Sequence, residues 1–241
     1  MVTHAGGVVQ VSTGPRPIGG RSAPDVAVSI SHSGARSLGL QESQRYVYIL
    51  AVPPKARKTS WDKLFAVAEA QAGLFTAEQA DTAGLYRQLL RRYVEHGRAR
   101  RLRRGIYRLV HFPTSDHEPL AEFWLWTKRE GVFSHETALS LHDLSDVLPR
   151  RVHVTVPLEW RGRRLTVPAG LVLHYAALAR RERAWVGPVP VTTPERTLLD
   201  CVKDHVAPDL VAQAIAQAGE RGLVAPDRLA EVRSSAVGNG T

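Results

Sequence analysis

"TAEQADTAGLYRQLLRRYVEHGRARRLRRGIYRL", residues 76–109, decides how this chain folds. Thr76 followed by Gln79 spells a capping box, in which two side chains satisfy each other's free backbone N–H groups at a helix start. The short helix so begun reaches Gly84. A second helix follows over "LYRQLLRRYVEHG", residues 85–97, and ends at Gly97. Its apolar stripe is Leu85, Leu89, Leu90 and Val94. "ARRLRRGIYRLV", residues 99–110, then reads as two short strands around Arg104 and Gly105. Upstream, "SWDKLFAVAEAQAG", residues 60–73, sets Trp61, Leu64, Phe65, Ala68 and Ala72 on one face of a helix that Gly73 stops.

The order is helix, helix, tight turn, helix, two-stranded wing, which is a winged helix-turn-helix. Where two helices cross, such a unit needs a small residue. It also needs a residue that tolerates positive φ in the turn and an apolar residue to seat the second helix. Ala80, Gly84 and Leu90 meet these needs in order.

Charge points the same way. The net charge is +9, and it is concentrated. Residues 86–108 hold nine arginines against the single acid Glu95, whereas residues 116–241 hold fifteen basic and sixteen acidic side chains. Like charges crowded together repel, so folding alone does not favour the cluster. A polyanionic partner does. On the basic helix, Tyr86, Arg87, Gln88, Arg91 and Arg92 lie off the apolar stripe. They are expected to face a major groove of double-stranded DNA, where arginine pairs with guanine and glutamine with adenine. Arg98, Arg100, Arg101, Arg103 and Arg104 are expected on phosphates or in the adjacent minor groove. An arginine-rich solvated face with no partner is the bland alternative. RNA is the third, and the window lacks the aromatic platforms on which most single-strand readers stack bases.

Residues 1–58 are rich in Gly, Ser and Pro and show no helical period, so they are expected to form a flexible extension. "RYVYILAVPP", residues 45–54, is a short strand signal stopped by prolines. Met1 is the only methionine, and a start at a valine codon, such as Val47 or Val52, would begin the protein just ahead of its first clear helix. The single cysteine, Cys201, has no intramolecular disulfide partner, which fits a reducing cytoplasm. No run of about 18 apolar residues spans a membrane, and no secretory signal opens the chain.

Residues 116–241 read as a mixed α/β domain, making the whole chain α+β. Helices are expected over "PLAEFWLWTKREG", over "SHETALSLHDLSD" with Ser134 as cap, and over "TTPERTLLDCVKD" with Thr193 as cap and Pro194 in the first helical position. "PDLVAQAIAQAGERG" is another, and Pro226 opens a last short one. "RRVHVTVP" and "RRLTVPAGLVLHYA" are strand signals, the first with Val152, Val154 and Val156 on one face.

Catalytic constellations are missing from this half. His135 and His142 share a helical face but stand about 10.5 Å apart along the axis, too far for one metal ion. His153 and His174 lie on strands without a neighbouring partner in sequence. Asp200 is not accompanied by the second acid and lysine of a nuclease, and Cys201 reads as a small core residue. The reading is therefore no catalytic residue, no metal and no cofactor. Trp124 and Trp126 read as core or interface rather than a cofactor box, and with Trp160 and Trp185 they are the aromatic groups able to anchor a protein partner where exposed.

Three stretches carry a family resemblance: "AQAGLFTAEQADTAGLYRQLLRRYVEHGRARRLRRGIYRL", "FSHETALSLHDLSDVLPRRVHVTVP" and "VPVTTPERTLLDC". Over about residues 60–224 the chain resembles the AbiEi-type antitoxins of bacterial abortive-infection (type IV) toxin–antitoxin systems. The resemblance implies a winged helix-turn-helix at residues 59–112 that binds inverted repeats in its own promoter and represses it. It implies an antitoxin domain at residues 116–241 that counteracts a nucleotidyltransferase-like toxin, directly or indirectly, and it implies no enzyme activity. Where the family pattern has glycine after the second histidine, this chain has Asp143. A different class stays open beside it, a nuclease-like DNA-processing enzyme with a winged-helix targeting domain, because "TTPERTLLD" also occurs near nuclease-like domains.

Overall fold

The computed structural model describes residues 59–238, which belong to one compact unit. The expected extension at 1–58 and the strand signal at 45–54 lie outside the described residues. Among the described residues the fold is α+β, with two sheets.

The first part contains α1 (Ser60–Glu69), β1 (Leu74–Thr76), α2 (Ala77–Thr82), α3 (Arg87–Glu95), β2 (Ala99–Arg103) and β3 (Ile106–Leu109). Thr59 and Asp62 make a capping box at the start of α1. The helix stops at Glu69, short of Gly73, because Ala72 and Gly73 take positive φ angles of 54° and 79° and turn the chain into β1. A side chain at Gly73 would also meet the Phe112 ring at 2.5 Å. The Thr76 capping box forms as read: Gln79 N–H donates to Thr76 Oγ1 at 3.1 Å, and Thr76 N–H donates to Gln79 Oε1 at 2.8 Å. β3 pairs antiparallel with both β1 and β2, giving a three-stranded sheet in the order β1-β3-β2. Leu64, Ala68, Phe75, Ala80, Leu85 and Leu90 form the core beneath.

The second part adds α4 (Glu118–Trp126), β4 (Val132–Phe133), α5 (His135–Leu141), β5 (Val152–Val156), β6 (Leu171–Tyr175), β7 (Arg183–Val186), β8 (Val189–Thr192), α6 (Pro194–Lys203), α7 (Pro208–Glu220) and α8 (Pro226–Gly238). Its sheet runs β6-β5-β4-β8-β7, with β5/β6 and β4/β8 parallel and the other pairs antiparallel. The α4 residues Ala121, Trp124 and Leu125 pack with Phe133, Val154, Val156 and Val191. The same core takes in Ala72, Leu74 and Ile106 from the first part, so no water-filled boundary separates the two. A further core joins α5 to α6, α7 and α8 through Leu139, Leu198, Cys201, Ile215 and Leu229.

Three local expectations are corrected, on Ser134, Thr193 and the length of α8. Ser134 precedes α5 but makes no capping bond; its Oγ lies 2.9 Å from His135 Nδ1 and accepts from Thr155 Oγ1. Thr193 likewise makes no side-chain cap, although Pro194 does open α6. α8 is not short, spanning 13 residues. Among the tryptophans, Trp124 and Trp160 are buried and Trp126 half-buried, leaving Trp185 as the exposed one at 62%.

Asp143 takes φ 51°, the left-handed conformation that a glycine would adopt freely. It ends α5 in a Schellman motif: Leu144 N–H donates to Leu139 O at 3.0 Å and Asp143 N–H to Ser140 O at 3.1 Å. The turn is thus built despite the side chain, and Arg221 Nη1 steadies it from α7's end by donating to the carbonyls of His142 and Asp143.

Candidate nucleic-acid interface

The turn between α2 and α3 is itself a Schellman motif. Leu85 N–H donates to Ala80 O and Gly84 N–H to Asp81 O, both at 2.8 Å. Gly84 sits at φ 90°, which calls for glycine, and a Cβ there would also push Ser60 Oγ, 2.8 Å away, into another rotamer. Ala80 is fully buried where α2 meets α3, and Leu85 and Leu90 seat α3 on the core. This fixes which side of α3 faces out. Tyr86, Arg87, Gln88, Arg91 and Arg92 are all exposed, Tyr86 by 68%. Arg91 Nε lies 2.8 Å from Glu95, a solvent-washed pair that costs little to open.

β2 and β3 form the hairpin beyond α3, with an irregularity between Arg101 and Arg103. Gly105 turns it at φ 79° with open space around its Cβ position, so only the backbone angle calls for glycine there. Arg98, Arg100, Arg101 and Arg104 are exposed. The Arg98 guanidinium lies over Tyr93 and Trp61, at 5.3 and 5.8 Å from the ring centroids, and those rings are themselves stacked. This contact holds Arg98 beside the end of α3.

Two arginines of the run have other duties. Arg103 pairs with Glu122 of α4 and lies over the Phe123 ring. Arg108 is buried; its Nε donates to Glu118 at 2.8 Å while Nη1 and Nη2 donate to the carbonyls of Leu109, Val110 and Phe112. Charge counting could not separate these two from their exposed neighbours, because the acids that hold them lie beyond residue 116. Subtracting both leaves Arg87, Arg91, Arg92, Arg98, Arg100, Arg101 and Arg104 as outward-facing cations on α3 and its hairpin.

His142 Nε2 donates to Thr192 O at 2.7 Å, and burial holds its pKa below the ordinary 6.5. Arg196 bridges Glu182 and Asp200 at 2.9 and 2.8 Å. Burial raises the Asp200 carboxyl and pushes the Cys201 thiol far up, leaving it protonated and unreactive. His153 and His174, expected to stand alone, come together with His135, from separate elements. Sequence spacing gave no sign of that, since 39 positions separate the outermost two. No helix among the described residues is long and apolar enough to cross a membrane.

Two family models match the chain. One, described as a transcriptional regulator and AbiEi antitoxin, matches residues 62–110, which contain the helix-turn-helix and hairpin. The other, described as the AbiEi antitoxin C-terminal domain, matches residues 131–238. Among solved structures, the RV2827C protein from Mycobacterium tuberculosis aligns with 75% of this chain and 75% of its own, at 17% identity and a TM-score of 0.45. No curated protein matches the chain.

Proposed function

From its membership of the AbiEi antitoxin and transcriptional-regulator family, we propose that the chain is an autorepressor and antitoxin whose winged helix-turn-helix, residues 59–112, binds inverted repeats in its own promoter. The family is regulatory rather than enzymatic. α3 enters the major groove, with Arg87, Gln88 and Arg91 on base edges and Tyr86 and Arg92 alongside. Arg98, Arg100, Arg101 and Arg104 hold phosphates or the adjacent minor groove. Residues 116–241 counteract a nucleotidyltransferase-like toxin. The observation that carries the DNA reading is the exposed cationic face of α3 and its hairpin, whose orientation is fixed by the Schellman turn at Gly84 and the buried Leu85 and Leu90. Arg103, half-buried against Glu122, acts in this reading as a strut that aims the hairpin.

The test is binding of the full chain to a labelled fragment of its own promoter, against a scrambled fragment of equal length, over a series of salt concentrations. Specific binding that falls steeply with salt is expected. Equal affinity for both fragments would leave the helix without a reading function. For the second half of the proposal, the chain is co-expressed with the neighbouring toxin gene and growth is scored. Absence of rescue would remove the antitoxin assignment.

A further inference from the structure

His135 opens α5, His153 lies in β5, His174 in β6, and Asp204 directly follows α6. The parallel pairing of β5 with β6 sets Thr155 beside His174, and Ser134 N–H donates to His153 O, which brings the start of α5 against the same strands. One ring nitrogen from each histidine lies within 4.8 Å of the others. Asp204 Oδ2 stands 3.2 Å from His135 Nε2 and 3.0 Å from His174 Nδ1. His153 Nδ1 lies 3.0 Å from His174 Nε2, and His153 Nε2 lies 3.8 Å from Glu136.

We propose that His135, His153, His174 and Asp204 form a binding site for a divalent cation of the zinc class, one that ties α5, β5, β6 and the end of α6 together. Four protein donors of this kind close a tetrahedral shell, which is the pattern of a structural rather than a catalytic site. Ligands on bonds of about 2.0 Å stand about 3.3 Å apart in a tetrahedron, and the two separations at Asp204 are close to that; the stacked His135 and His174 rings, 3.6 Å apart, turn on binding so that each aims one nitrogen at the ion. Imidazole nitrogens select zinc, nickel, cobalt or copper over magnesium and calcium.

The surroundings fit. The three imidazoles are mostly withdrawn from water, with side-chain exposures of 6%, 19% and 20%, while Asp204 at 41% lies at the rim where an ion enters. Ser134 Oγ, 2.9 Å from His135 Nδ1 and itself a partner of Thr155, can accept a hydrogen bond from Nδ1–H, the tautomer that leaves the Nε2 lone pair free. Hydrogen-bond arithmetic favours a cation as well. With neutral rings, His135 and His174 both spend their N–H on Asp204, and His153 spends its own on His174. The remaining His153 Nε2 lone pair then faces the Glu136 carboxylate, acceptor against acceptor.

The test uses the untagged full chain. After exposure to zinc and exhaustive dialysis, metal analysis is expected to find one zinc per chain. Cobalt in its place should show the intense visible bands of a tetrahedral N/O site. Zinc at about 100 times its Kd should raise Tm by about 5–10 °C, reversed by a chelator. His153→Gln and His174→Gln should abolish retention and shift, while His111→Gln, outside the cluster, should leave both intact. If a variant fails to fold, the cobalt spectrum and thermal shift of the unaltered chain decide. No retained metal with no shift, or full retention in both cluster variants, would overturn the site. Neither result depends on DNA or toxin.

Discussion

Arg108 lies within the most basic run of the chain yet points inward, its Nε donating to the Glu118 carboxylate of α4 at 2.8 Å. The pair is largely withdrawn from water, with side-chain exposures of 8% and 18%. The same guanidinium also satisfies three backbone carbonyls in the segment that leads to α4. Arg108 is therefore a rivet between the hairpin and the rest of the molecule.

Arg108→Met should destabilise the full chain by about 3 kcal/mol or more, because Glu118 and the carbonyls lose their donors together. Urea unfolding measures this. Glu118→Gln keeps an acceptor for Nε and should cost less. A loss under 1 kcal/mol for Arg108→Met would show that water replaces the guanidinium easily.

Changing Arg100, Arg101 and Arg104 together to alanine should weaken binding to every DNA sequence. The log–log salt slope should become shallower by about 0.9 for each phosphate contact removed. Fluorescence anisotropy at several salt concentrations reads both. Arg103→Ala should act differently, lowering stability with a smaller effect on the slope, since its charge is already met by Glu122. A triple variant with an unaltered slope would remove these residues from the interface.

Single alanine changes at Arg87, Gln88 and Arg91 should cost about 1–3 kcal/mol on the promoter site and much less on random DNA. Competition binding separates the two. Equal losses on both would move the residue from base reading to backbone contact.

His142 gives a pH dependence with a defined sign. Burial lowers its pKa from the ordinary 6.5, so the unfolded chain takes up the proton first as pH falls. Its contribution is complete above about pH 6.5 and declines below it. The stability difference between the unaltered chain and His142→Gln should therefore be larger at pH 7.5 than at pH 5. A difference that grows on acidification would mean that the ring is charged in the fold.

The helix-turn-helix was legible because its signals are local. Thr76 and Gln79 are three positions apart, and the motif from Ala80 to Leu90 is contained in a single turn and the helix after it. β1 escaped because it is three residues long and earns its place only by pairing with β3, about 30 positions later. β4, β7 and β8 were missed for a similar reason, being short and defined by their neighbours in the sheet. On the candidate interface, composition located the cationic run but not which arginines are paired with acids of α4. Sorting them required Glu118 and Glu122, which are invisible to any window that ends at the wing. Asp143 shows the opposite case: the family pattern pointed to a glycine-like turn, and the backbone adopts it at φ 51° with aspartate in place.

The core shared by Ala72, Leu74 and Ile106 with Ala121 and Trp124 has a bearing on how the molecule is lost. Opening either part exposes apolar surface of the other, so the two are expected to melt as one cooperative body and to become open to a protease together. Under the proposed function, turnover then has no intermediate that still silences the promoter but no longer restrains the toxin. Renewed synthesis and released toxin begin at the same moment, and the delay before fresh protein accumulates sets how long the cell is unguarded.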